Sequence, residues 1–170
     1  MTREGHVRFR ESVGVRLPRA TRPYVKIKGK AAYLYRAVDK EGHTIDFLLT
    51  PQRDRDAAEA FLRKAIRSQG LPEKIMIDKS GANTAAITHY NKTHKTAIVI
   101  RHSKYLNNIV EQDHRAVKRL VRPMLGFKSF WAARCTIAGI EVMHAIRKGQ
   151  MITSGHLLQT PAEQFYALAA

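Results

Sequence analysis

The hydrophobic period of this chain changes after Leu49, and that change limits the folds open to it. Tyr24 to Lys28 alternates apolar and polar residues, two further short runs follow before Thr50, and helical spacing first appears beyond Asp54. Period 2 puts successive side chains on opposite faces of a sheet, whereas period 3.6 lines them up along one helical stripe. Tyr24-Val25-Lys26-Ile27-Lys28 is the first run, and Gly29-Lys30 can turn the chain after it. Ala31 to Val38, rich in Tyr and Leu, is the second; Asp39-Lys40-Glu41-Gly42 makes a turn, and His43 to Leu49 is the third. Strands joined by loops this short pair as an antiparallel meander.

The remainder alternates helix with strand. Asp54 and Asp56 precede Ala57 to Ile66, a helix with acids at its start and bases nearer its end, matching its dipole. Gly70 ends it and Pro72 blocks continuation. Lys74-Ile75-Met76-Ile77-Asp78 reads as a short buried strand closed by a carboxylate. Residues 83–92 form a weaker helix, and Ala97-Ile98-Val99-Ile100 is a fifth strand. Asn107 or Asn108 caps a helix running to about Val121, which Pro123 and Gly126 break. Ser129 caps a long helix to Lys148, and Thr160-Pro161 starts a last one over 161–169. The order β-β-β-α-β-α-β-α-α-α predicts an α/β fold. Its mixed five-stranded sheet has three antiparallel strands, then two parallel ones with right-handed crossovers, and helices flank it.

Length and charge narrow the class. At 170 residues the chain has room for one domain plus an arm, and 44% apolar residues suffice for a core. Thirty Lys and Arg against 14 Asp and Glu give a net charge of +16, which favours a polyanionic partner such as nucleic acid. A single cysteine, Cys135, excludes an internal disulfide and a multi-thiolate zinc site, and fits a reducing compartment. The most apolar stretch, 129–146, is interrupted by Arg134 and Glu141, too short for the roughly 20 apolar residues of a membrane span. MTREGHVRFRES has no apolar signal core. The expectation is a soluble, cytoplasmic, basic protein with no membrane partner. Residues 1–23 carry six Arg, two Glu and two Pro without lasting periodicity and read as an irregular basic arm.

Two acids stand where chemistry is expected. Asp78 closes a buried strand, and in open α/β sheets ligands gather at the carboxyl ends of strands; it is a candidate metal ligand, or else the cap of the following turn. Glu111, Arg115, Lys118 and Arg122 advance by 4, 3 and 4 and share one helical face. One carboxylate followed by three cations suits a metal ligand beside a DNA groove, or else a solvated face with a favourable ion pair. Asp113 falls on the opposite side. Two-metal phosphoryl transfer needs converging carboxylates around ions about 4 Å apart, and hard cations need oxygen ligands. His89, His94 and His102 offer a weak metal trio, with surface histidines the commoner reading. Cys135 is expected in the core, Phe130 and Trp131 as anchors of the long helix on the sheet, and Lys26, Lys28 and Lys30 as a solvated strand face.

Several segments together carry a resemblance. They are Tyr24-Val25-Lys26-Ile27-Lys28-Gly29-Lys30, Tyr33 to Asp39, Thr44-Ile45-Asp46-Phe47, Asn107-Asn108-x-x-Glu111-x-Asp113-His114-x-x-x-Lys118-Arg119 and Leu125-Gly126-Phe127-Lys128-Ser129-Phe130. Residues 24–150 resemble the catalytic domain of bacterial insertion-sequence transposases, closest to the insertion-sequence-six family. The resemblance implies a retroviral-integrase-like, ribonuclease-H-like fold with an Asp-Asp-Glu triad and two Mg²⁺ ions. It implies cleavage and strand transfer at element ends, with DNA and a further transposase copy as partners. Asp78 corresponds to the second acid, Glu111 to the third, and Lys118 to a basic residue near the scissile phosphate. Arg101, Lys104, Arg115, Lys118, Arg119 and Arg122 are expected to hold DNA. The family's first acid should stand in an Asp-Glu-Thr just before Tyr24, where this chain has Thr21-Arg22-Pro23. Asp46 is a poor substitute, because the fold puts its strand two strands from the first. Three segments are expected: an arm over 1–23, possibly out of frame, the catalytic domain over 24–150, and a tail with a short helix over 151–170. The rival expectation is a catalytically dead remnant that binds DNA or dimerises.

Overall fold

The computed structural model describes residues 14–16, 24–39, 41–77, 81–102, 108–150 and 160–168. Strands β1 (Gly14–Arg16), β2 (Tyr24–Ile27), β3 (Lys30–Val38) and β4 (Thr44–Thr50) come first. Then follow α1 (Arg55–Gln69), β5 (Lys74–Ile77), α2 (Gly81–His94), β6 (Val99–His102) and α3 (Asn108–Val121). A 3₁₀ turn at Arg122–Met124, α4 (Phe130–Arg147) and α5 (Pro161–Ala167) complete the order.

Six strand segments fill five lanes. Val38 pairs with Arg16 of β1 on one side and Thr44 of β4 on the other, while Tyr33 pairs with Tyr24 of β2 and Thr50 of β4. Since β4 holds one edge of β3, both β1 and β2 must lie along the other. The lanes therefore run β4, β3, β1 with β2, β5, β6; β5 and β6 are parallel to each other and β1 is parallel to β5. This is the expected mixed sheet, with one correction. The basic arm is not irregular throughout, because Gly14–Arg16 enters the central lane. A vacant lane offers backbone donors and acceptors on both sides, and any extended segment can satisfy them.

The two faces follow from alternation. Tyr35 and Ala37 of β3, with Ile75 and Ile77 of β5, pack against Phe61 and Leu62 of α1 and Ile87 of α2. Ala32 and Leu34, on the other face of β3, pack with Val25 and Leu49 against Val117 and Val121 of α3 and Ala133 and Ile137 of α4. Each fully buried Phe, Leu or Ile contributes about 1.5–3 kcal/mol, so these faces hold the fold.

Local signals set most boundaries. Lys28 (φ 48°) and Gly29 (φ 77°) form the two positive-φ centres of the β2–β3 hairpin. Asp54 caps α1 by accepting from Ala57 N at 2.8 Å, and Ser129 caps α4 by accepting from Ala132 N at 3.0 Å. The fifth expected strand starts two residues late, at Val99. The reason is Asn91, whose amide brackets Ile98: Ile98 N donates to Oδ1 and Nδ2 donates to Ile98 O, both at 3.0 Å.

Two core expectations fail for a common reason. The buried stripe of α4 runs through Ala133, Ile137, Glu141 and Ile146. Cys135 and Trp131 each stand two positions from that stripe, near the opposite side at 100° per residue, and both are exposed, Trp131 by 74%. Phe130 is 38% exposed. Lys26, Lys28 and Lys30 are solvated as expected.

Candidate active site

The central lane decides what this site can do. In one register Arg16 pairs with Val38 and Met76; in the other Tyr24 pairs with Tyr33. From Arg16 to Tyr24 the chain takes eight residue steps, while β3 covers the same span, Val38 back to Tyr33, in five. Residues 17–23, between the two segments, lie outside the described residues. Between Glu11 and Asp39 the sequence contains no carboxylate at all, and Arg16, Arg19 and Arg22 stand in that interval.

Beside this lane, β5 buries Ile75 and Ile77 against α1 and α2. Met76, between them, is half-buried and belongs to the face that carries α3 and α4. Asp78 and Lys104 lie outside the described residues. Glu111 is in the first turn of α3; its side chain lies outside the described residues. Further along α3, Val117 and Val121 are buried against the sheet, whereas Arg115, Lys118 and Arg119 are exposed. Arg122, in the 3₁₀ turn, and Arg101, on β6, are exposed too. Asp46 sits on β4, two lanes from the centre, paired with Lys64 of α1 and accepting from Phe47 N at 2.7 Å.

A different device locks the strand preceding this site to the end of α3. Phe127 N donates to Lys26 O at 2.8 Å and Lys28 N donates to Phe127 O at 2.9 Å, so the segment after α3 pairs with β2. Gly126 (φ 121°) makes the approach possible: a Cβ there would lie 3.1 Å from Lys26 O and 3.2 Å from Lys26 Cβ.

Sequence reasoning passed over one buried pair. Arg36 of β3, fully buried, donates through Nη2 to Glu141 Oε2 of α4 at 2.7 Å, and Glu141 is 4% exposed. The signal was present as a lone Arg inside an apolar strand and a lone Glu inside an apolar helix. Among the described residues, one group of three ligand-type side chains converges: Asp39, Glu41 and His43 in the β3–β4 turn. Asp39 there accepts from His43 N at 2.8 Å and contacts His43 Nδ1 at 3.1 Å, so it ties its own turn. This turn follows the carboxyl end of β3, which is antiparallel to β5, so it lies at the opposite end of the sheet from Asp78's strand end. The histidine trio does not assemble: His89 pairs with Glu59 at 2.9 Å, while His94 stacks on Tyr90 with centroids 4.3 Å apart.

Comparison with known proteins agrees with this frame. The DDE domain model of IS240-type transposases matches residues 19–150. The chain belongs to the DDE transposase family. The transposase for insertion sequence-like element IS431mec of Staphylococcus aureus (strain Mu50 / ATCC 700699) is 42% identical over 127 residues. That match covers 74% of this chain and 55% of the relative. The transposase for insertion sequence element IS257 in transposon Tn4003, also from Staphylococcus aureus, matches with the same identity and coverage. The chain thus spans about 55% of the length of these curated relatives. Among solved structures, the HTLV-2 integrase catalytic core domain in complex with magnesium superposes with a TM-score of 0.52 at 16% identity. It covers 65% of this chain and 70% of that one, and the likeness shows a common ribonuclease-H-like fold. Among the described residues no helix is long and apolar enough to cross a membrane.

Proposed function

We propose that this DDE domain keeps the frame and the DNA-holding surface of a strand-cleaving, strand-transferring transposase but lacks the carboxylates to run the reaction. The observation that carries the reading is the acid-free central lane. Leu17 and Pro23 bound the stretch that joins β1 to β2 in the sequence. Neither residue, nor anything between them, can ligate a metal through a carboxylate. By resemblance to the family, Asp78 and Glu111 are the two triad acids this sequence retains.

Two Mg²⁺ ions do not fit that donor set. Magnesium demands oxygen ligands in near-octahedral geometry and is bound through carboxylates. A site short of one charged ligand would hold such ions weakly. Lys118 would face the scissile phosphate, with Arg101, Lys104, Arg115, Arg119 and Arg122 contacting the backbone around it. DNA binding without cleavage is the resulting activity, with self-association or association with an intact transposase as the protein partnership. The exposed Trp131 and Leu125 support such a contact. A gel-shift titration with short random-sequence duplexes tests it: binding in EDTA is expected, and no binding at low salt would refute the reading.

A further inference from the structure

We propose that α5 of one copy of this chain docks, through Ala162, Phe165 and Tyr166, on an apolar patch that the end of α3 and the start of α4 present in a second copy. The proposal rests on the reading above only in taking self-association as the protein partnership, and it names the two surfaces that meet.

The patch lies between the buried stripes of two helices. Val117 and Val121 of α3 share one cluster with Ala133 and Ile137 of α4, so the end of α3 lies beside the start of α4. The large apolar residues between those stripes stay in solvent. Leu120, Met124, Leu125, Phe130 and Trp131 are all exposed, Leu125 by 90%. Single exposed apolar residues need no explanation, but a run of five on adjoining elements marks a contact surface.

α5 is the matching element. It has seven residues and buries none of them, although it lies beside α4 of its own chain. A helix that short is marginal in water without tertiary packing. Its capping box, Thr160 with Glu163, fixes the first turn. Ala162, Phe165 and Tyr166 stand at i, i+3 and i+4, the spacing with which a helix seats its apolar face on a partner. Phe165 and Tyr166 are both exposed.

Charge selects the pairing. Two copies of a chain with net charge +16 repel each other. From His114 to Ile140 the sequence has no Asp or Glu, and Lys118, Arg119, Arg122, Lys128 and Arg134, all exposed, accompany the patch. From Gly149 to Ala170 it has no Lys or Arg, the longest such run in the sequence, and its one acid there is Glu163. α5 is therefore the segment of a second copy that meets the patch without repulsion, and Glu163 brings a carboxylate to a surface of cations. Each copy offers both surfaces, so a two-fold pair makes the contact twice.

Sedimentation velocity of the full chain over a dilution series, read alongside tryptophan emission, tests the proposal. Trp131 is the single tryptophan, so its emission reports on the patch itself. A concentration-dependent dimer is expected, with the emission moving to the blue as the dimer forms. Leu125→Asp alters the patch at a φ of 54°, a conformation that Asp tolerates. Phe165→Gln with Tyr166→Gln alters the helix. Each variant should raise the dimer dissociation constant about tenfold or more, with unchanged melting curves. Val142→Gln, exposed farther along α4, should leave the dimer as it is. Mixing the patch variant with the helix variant should restore association beyond either alone, because one intact contact then forms in each pair. A monomer at every concentration would overturn both the proposal and the self-association it rests on. A dimer that the helix variant does not weaken, that mixing does not rescue, or that leaves Trp131 emission unmoved would overturn the proposal alone; two patches pairing with each other would give that result.

Discussion

Arg36 and Glu141, 105 positions apart in sequence, meet at 2.7 Å inside the protein and fasten α4 to the central strands. Removing one partner of a buried pair strands the other charge in the core, costing about 3–5 kcal/mol. Glu141→Ala should therefore lower the melting temperature by roughly 6–20 °C, at about 2–4 °C per kcal/mol for a chain of this size. Arg36→Met combined with Glu141→Leu should recover most of that loss, since a packed apolar pair replaces both charges. Calorimetry on the two single variants and the double variant checks the coupling.

Gly126 should not tolerate a side chain. Its φ of 121° disfavours any L residue, and a Cβ would press on the Lys26 backbone, which has little room to give. Gly126→Ala should destabilise by about 1–3 kcal/mol. Hydrogen exchange at Lys28 and Phe127, the amides of the β2 clasp, should speed up more than exchange in α1.

Burial pushes the Tyr35 phenol above its usual range, with Asp54 adding to the rise and Arg53 opposing it. Since the folded pKa exceeds the unfolded one, the contribution to stability is fully present below pH 10. It is lost as pH climbs through the folded value. Tyrosinate absorbance should show one late-titrating phenol, and Tyr35→Phe should remove that late phase.

The α3 surface predicts a steep salt dependence of DNA binding. Replacing Lys118 and Arg122 by Ala should reduce the log–log slope by about two units, about one per phosphate neutralised. An unchanged slope would move the DNA off this helix.

Period and caps gave the order of the elements, because Tyr24 to Lys28 alternates, Gly29 and Gly42 mark the turns that separate the strands, and Asp54, Gly70, Ser129 and Thr160 each mark a helix end by a local mechanism. What escaped was non-local. Asn91 delays β6 by bonding Ile98 seven residues away, which no periodicity reports. Cys135 and Trp131 were misplaced because α4 is apolar on several sides, so composition did not single out its buried stripe. Gly14–Arg16 pairs in the sheet although the three residues are too few to show a hydrophobic period. Of the candidate site, the basic face of α3 was readable from spacing, while the match of Asp78 and Glu111 to the triad rested on resemblance.

The absence of a carboxylate just before Tyr24 suits a lost reading frame. Ala20-Thr21-Arg22-Pro23 can be encoded GCG ACG AGA CCN, and the same bases read in a shifted frame contain GAC GAG ACC, or Asp-Glu-Thr. Sequencing the gene should find codons at Thr21 and Arg22 compatible with that shift; any other choice removes the explanation.

A DDE frame without a carboxylate in its central lane should not cut DNA. Nicking of a duplex carrying an insertion-sequence end, measured with Mg²⁺ and with EDTA, tests this most directly. No metal-dependent product is expected from this chain. Mg²⁺-dependent cleavage that disappears in Glu111→Ala would contradict the loss of catalysis.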